Sequence, residues 1–159
     1  TTPCVTNLTK HLAESYECIT FHATGWGGQS MEALVAEGQV SVVCDITTTE
    51  VADEIVGGVL SAGAQRLDVF SRINVPYLGA AGALDAVNFG ARDTLPNWTK
   101  GRTLFTHNQH VTLMRTNVEE CQKFIIKLLI ENGFKITEME DKQESTEKNL
   151  ILISWGHHE

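Results

Sequence analysis

What this sequence lacks narrows it first. It contains no apolar run approaching the roughly 18–20 residues that a membrane-crossing helix needs, and no charged-then-apolar signal segment opens it. There is no basic stripe. Its 20 acidic residues outweigh 12 basic ones, giving a formal charge of −8, which suits neither nucleic acid nor anionic membrane. Cys4, Cys18, Cys44 and Cys121 form no CxxC pair. Cys18 and Cys44 lie in apolar runs and are expected as reduced core thiols, which points to a cytoplasmic protein. Also missing are a full GxGxxG or Walker spacing, a Ser-His-Asp order and a nucleophile elbow.

What is present is the composition of a globular chain, 42% hydrophobic and 20% charged with 13 glycines in 159 residues. One domain over 1–159 is expected. Thr2-Pro3 opens a helix with Val5, Leu8, Leu12 and Tyr16 on one face. ECITFHA, residues 17–23, has the pattern of a strand, and GGQSMEALVAEG that of a helix stopped by Gly38. QVSVVCDI is a nearly all-apolar strand of the kind covered on both faces. Thr47 and Glu50 have capping-box spacing ahead of a helix with Val51, Ile55 and Val59 as its apolar stripe. Residues 61–74 are helical in pattern, and VPYLGA and RTLFTH are brief strands separated by a turn-rich loop over 90–101. Thr116 and Glu119 repeat the capping spacing before the longest helix, EECQKFIIKLLIEN, which Gly133 ends. FKITEME and LILISW are further strands, with DKQESTEKN a polar loop between them.

Alternating strands and helices predict an α/β fold, three layers around a mostly parallel sheet. A helix at the very start of the chain has no strand before it. The expectation is therefore a doubly wound half that lacks its first strand, in a polypeptide that extends upstream.

Ligands of open α/β sheets settle at the carboxyl ends of strands, and polar motifs recur there. They are Thr24, Gly25, Gly27 and Gly28; Asp45 with Thr47, Thr48 and Thr49; Gly82, Asp85 and Asn88; and His107, Asn108 and His110. The glycines could admit a phosphate to backbone amides at a helix start, or could simply make a tight turn. Capping accounts for Thr47 and Glu50 and leaves Thr48 and Thr49 free for a ligand. Asp45, ending an apolar strand, needs a partner if buried. His22, Asp45, His107 and His110 could form a divalent-metal set, but hydrogen-bonding histidines are the expectation and no metal is assigned. Arg115 could meet a phosphate or pair with Glu119. His107 or His110 as acid–base, with Asp45 or Asp85 as the orienting carboxylate, is the enzymatic alternative.

TTPCVTNLTKHL, FHATGWGGQSMEALV, DITTTEVADEIVGGVLSAG, RLDVFSRINVPYLGAAGALDAVNFG and HNQHVTLMRTNVEEC occur in this order. Over residues 1–122 the chain thereby resembles the N-terminal region of the family of the tomato mosaic virus resistance protein and its bacterial and fungal relatives. The match fades over 123–159. The resemblance implies the second of two Rossmann-like halves of an ATP-binding region. Its partners would be an absent N-terminal lobe, a second copy of the chain, or another protein. ATP with Mg2+ is the cofactor it implies, without catalysis by this chain alone. The positions in matching motifs include Thr24, Gly25, Gly27, Gly28, Thr48, Thr49, Gly82, Asp85, Asn88, His107, Asn108 and Arg115. Gln29 stands where a basic residue is common in that family, which weakens phosphate neutralisation by the glycine loop.

Overall fold

The computed structural model describes residues 2–117, 119, 120 and 124, with the backbone of 135–139 and 150–154. The fold is mixed α/β. Helix α1 spans Thr2–Leu12 and buries none of its residues. Residues 17–22 form no ladder, and Tyr16 and Ile19 are 60% and 63% exposed. The expected strand at 17–23 is not formed, because a strand exists only where a neighbour takes up its backbone groups. Helix α2 runs Trp26–Ala36. Gly38 ends it at φ +71, its N–H donating to Val35 O at 3.0 Å while Gln39 N–H donates to Leu34 O at 2.9 Å.

Strand β1, Val43–Asp45, is shorter than the apolar run suggested. It pairs in parallel with β2, Tyr77–Gly79, in the register Val43↔Tyr77 and Asp45↔Gly79. Between them come α3, Thr49–Val56, and the short α4, Asp68–Arg72. Gly57, at φ +89, closes α3 in the left-handed conformation that glycine adopts without strain. Met31, Val35, Val43, Val69 and Phe70 form the core of this half.

The second half is an antiparallel sheet in the order β3-β5-β4, with β3 at Ala86–Phe89, β4 at Leu104–Thr106 and β5 at Thr112–Arg115. THNQHVTLMRT is thus a hairpin rather than a strand end leading to a helix. The alternation that buries Thr112 and Met114 marks β5. Val51 and Ala52 of α3 pack with Leu84, Val87, Phe89, Met114 and Phe124 in a second core. Ile55 and Val59, expected to extend the α3 stripe, are instead 37% and 59% exposed. Asn117 and Glu120 form the capping box expected one residue earlier: Glu120 N–H donates to Asn117 Oδ1 at 2.7 Å and Asn117 N–H to Glu120 Oε2 at 3.0 Å. Thr116 instead donates to Leu84 O at 3.0 Å.

Strands β6, Lys135–Met139, and β7, Leu150–Ser154, pair antiparallel where FKITEME and LILISW predicted strands. The body of the long helix, its stop at Gly133, the loop at 141–149, Cys121 and the terminal His157-His158-Glu159 lie outside the described residues. Among the described residues no helix is long and apolar enough to cross a membrane.

Candidate functional site

The carboxyl ends of β1 and β2 are tied into one platform. Ala80 N–H donates to Asp45 O at 2.9 Å, and Thr48 N–H donates to Gly82 O at 3.0 Å. The Thr48 hydroxyl donates to Ala80 O at 3.0 Å, and that of Thr49 to Ala86 O at 3.1 Å. These bonds replace the capping box: Thr48, not Thr47, is the N-cap of α3, and it makes no side-chain cap bond. The threonines stitch the β2–β3 connection to α3. Ala83, in that connection, sits at φ +60, a backbone strain that only surrounding structure sustains. Asp85 and Arg115 stand exposed at its end. They are neighbours by register, since Ala86 pairs with Arg115 and Thr116 N–H donates to Asp85 O at 2.9 Å.

The glycine loop has an internal tenant. Gly25 N–H and Gly28 N–H both donate to Glu50 Oε1, at 2.6 and 3.0 Å. Glu50 is fully buried, and its Oε2 accepts from Arg66 Nε at 3.0 Å. The amides expected to meet a phosphate therefore hold a carboxylate of the same chain. Gly28 must be glycine because a Cβ there would lie 2.7 Å from Arg66 Nε. A Cβ on Gly27 would strike the His22 carbonyl. Thr24 bonds locally, its N–H and hydroxyl both donating to His22 O, at 2.8 and 3.3 Å.

Arg66 is the hub. Besides Glu50 it binds Glu32 Oε1 at 2.8 Å and Asp45 Oδ2 at 2.6 Å. Asp45 also accepts from the Tyr77 hydroxyl at 3.0 Å, so the partner that a buried strand-end carboxylate requires is present. Glu32 Oε1 accepts in addition from Leu67 N–H at 2.7 Å, holding Leu67 at φ +83. Burial raises the Glu32 carboxyl above its ordinary 4.5, against the lowering effect of the Leu67 amide and Arg66. Arg66 is raised because the Asp45 charge and the hydrogen bonds to its carboxylates outweigh the opposing cost of its burial. Burial and the Asp45 charge push the Tyr77 phenol up as well, so it remains a donor.

One turn on, Asp53 is fully buried and makes no ion pair among the described residues. Its Oδ1 accepts from Asn88 N–H at 2.8 Å and Asn88 Nδ2 at 3.2 Å, and its Oδ2 from Leu60 N–H at 2.8 Å. Burial raises its pKa above the ordinary 3.8, and those hydrogen bonds lower it less. Asn88, a sequence-predicted ligand residue, is thus a buried clamp on α3. Its Nδ2 also donates to Thr49 Oγ1 at 3.1 Å.

His107, Asn108 and His110 sit on the β4–β5 hairpin, all exposed. Asn108 Oδ1 accepts from His110 N–H at 2.8 Å and Val111 N–H at 2.9 Å, making the turn. Thr106 pairs with Thr112, and Thr112 with Phe89, so the hairpin tip lies beyond the end of β3 opposite to Asp85. β3 is four residues long, so its two ends lie three steps apart, about 10 Å at 3.4 Å per residue. His107 and Asp85 are not brought together, and the acid–base pair expected of them is not formed. Among the described residues no group of His, Cys, Asp and Glu could hold a metal. Cys18 and Cys44 are half-buried and Cys4 is exposed, all unpaired, rather than sealed in a core.

Sequence reasoning missed Arg66, Glu32, Tyr77 and Asp53, and assigned Glu50 to a cap. A usable signal was present in TTTEVADE. Glu50 and Asp53 stand three apart and share one face of α3, opposite the apolar Val51 and Ala52, so a helix start buried all round must find partners for both carboxylates.

Residues 1–135 match the family described as the uncharacterised protein family UPF0261, C-terminal domain. A UPF0261 protein of Mesorhizobium japonicum is 52% identical over 122 residues, 77% of this chain and 31% of that protein. One from Rhizobium meliloti is 52% identical over 121 residues, covering 76% and 30%. The ToMV resistance protein Tm-1(GCR237) of Solanum lycopersicum is 48% identical over 125 residues, 78% of this chain and 17% of that protein. The chain spans less than a third of the length of these relatives. Its motifs, their order and this identity place it in one group: the chain belongs to the UPF0261 family, within the region of its C-terminal domain.

Proposed function

We propose that this chain is a binding module for a small phosphorylated ligand, ATP with Mg2+ being the first candidate, and that it forms one lobe of a two-lobed, Rossmann-like nucleotide-binding domain. The observation that carries this reading is the platform at the ends of β1 and β2. Two parallel strands end side by side there, Thr48 and Thr49 fasten the next connection, and Gly82, the strained Ala83, Asp85 and Arg115 lie at its edge. Strand ends of parallel sheets are where α/β domains receive ligands, and the family resemblance supplies the nucleotide. Arg115 is the cation available to a phosphate, and Asp85 the carboxylate available to a metal-bound water.

The glycine loop shapes the module rather than touching the ligand, since Glu50 occupies its amides. Binding rather than catalysis is proposed because, among the described residues, no histidine is placed beside Asp85 at the platform. A second lobe would cover the apolar surface of this half, where α1 buries no residue and Trp26 is 80% exposed. Calorimetry with Mg-ATP on this chain and on a full-length relative tests the reading. Saturable binding by the relative, lost on changing the residue equivalent to Arg115 to alanine, supports it. No heat from either protein overturns it.

A further inference from the structure

The connection between β3 and β4 carries a charge pattern that the strand-end platform does not use. An open hollow of about 330 Å3 is lined by Arg92, Lys100 and Arg102 together with Leu95, Pro96 and Leu104. Among the described residues no carboxylate lines it. In a chain of 20 acidic and 12 basic residues, this hollow gathers three cations in its lining.

The cations are not neutralised alike. Arg92 and Lys100 make no ion pair among the described residues. Arg102 is pinned in place by Glu120, through Nη1–Oε1 at 2.9 Å and Nη2–Oε2 at 2.5 Å, and by the Arg115 carbonyl at 3.2 Å. Its guanidinium has more N–H donors than these bonds use. The frame is firm. Thr99 is buried and its hydroxyl donates to Pro96 O at 2.8 Å. Gly101 turns the chain at φ +85 between Lys100 and Arg102, a conformation that a side chain would strain.

We propose that this hollow is an anion site for the dianionic phosphate group of a small phosphorylated metabolite, separate from the β1–β2 platform. Arg92 and Lys100, beside an Arg102 already oriented by Glu120, favour a doubly charged oxoanion over a single carboxylate. The Arg92 guanidinium lies 3.5 Å from Thr106 Oγ1, which joins the hollow to the hairpin that carries His107.

Amide NMR on the full 159-residue chain tests this, using inorganic phosphate, a sugar phosphate and acetate at matched ionic strength. The expected result is saturable shifts at Arg92 and Thr99–Arg102 with both phosphates, weak or absent with acetate, and at least about tenfold weaker in an Arg92→Gln/Lys100→Gln double variant. Both changed side chains are exposed, and an unaltered spectrum elsewhere confirms the fold. Shifts that follow ionic strength without saturating, equal response to acetate, or undiminished affinity in the double variant overturn the proposal. A response to Mg-ATP at Gly82–Asp85 reports on the platform alone, so either site can fail without the other.

Discussion

Glu50 and Asp53 stand three residues apart on α3, and both are fully buried, yet they are satisfied by different means. Glu50 faces the β1–β2 half and meets a guanidinium and two backbone amides. Asp53 faces the β3–β5–β4 half and, among the described residues, meets neutral donors, two from Asn88 and one from Leu60. Burial raises the Asp53 pKa, and its neutral donors offset that only in part. The difference teaches that α3 joins the two halves through its acids. It also shows that an anion at a glycine-bearing helix start can be part of the fold rather than a ligand.

The strongest way to break this comparison is to remove the shared cation. Arg66→Met leaves Glu32, Asp45 and Glu50 buried without their counter-ion, and should cost about 3–5 kcal/mol in denaturant unfolding. Asp53→Asn should cost less, about 1–3 kcal/mol, because only the Leu60 amide is left facing a donor. Equal costs for the two variants would remove the distinction between ionic and neutral satisfaction.

The comparison also marks what the sequence could disclose. The α/β class, α2 with its Gly38 stop, the brief strands and the need of Asp45 for a partner were legible, because each rests on local patterning or on one buried group. Arg66 was not. It lies in AQRLDV, with no periodicity to mark it as buried, and its three acids come from α2, β1 and α3, which only the tertiary fold assembles. The TTTE motif misled for a related reason: capping spacing is local, whereas Glu50 is drawn to the glycine loop 22–25 residues away in sequence. The unformed strand at 17–23 and the hairpin at 104–115 show the same limit, since pairing partners are not encoded within the segment that pairs.

A finer test lies in pH. The Glu32 carboxyl is raised above 4.5 in the folded state, so the folded state binds its proton more tightly than the unfolded one. Its ionised form therefore costs stability at neutral pH, and that cost is relieved as pH falls through the raised value towards 4.5. Relative to Glu32→Gln, the parent chain should gain stability as pH is lowered across that window. A pH-independent difference between the two would show that Glu32 is not held in this way. The effect should be the smallest of the three, because Glu32 keeps some solvent contact.

The most direct measurement is an amide NMR titration of the chain, or of a full-length relative if the chain alone binds weakly, with Mg-ATP. The account predicts shifts concentrated at Thr48, Thr49, Gly82–Asp85 and Arg115, with Gly25 and Gly28 unmoved because their N–H groups remain on Glu50. Shifts centred on Gly25–Gly28, with the Glu50 bonds released, would contradict it.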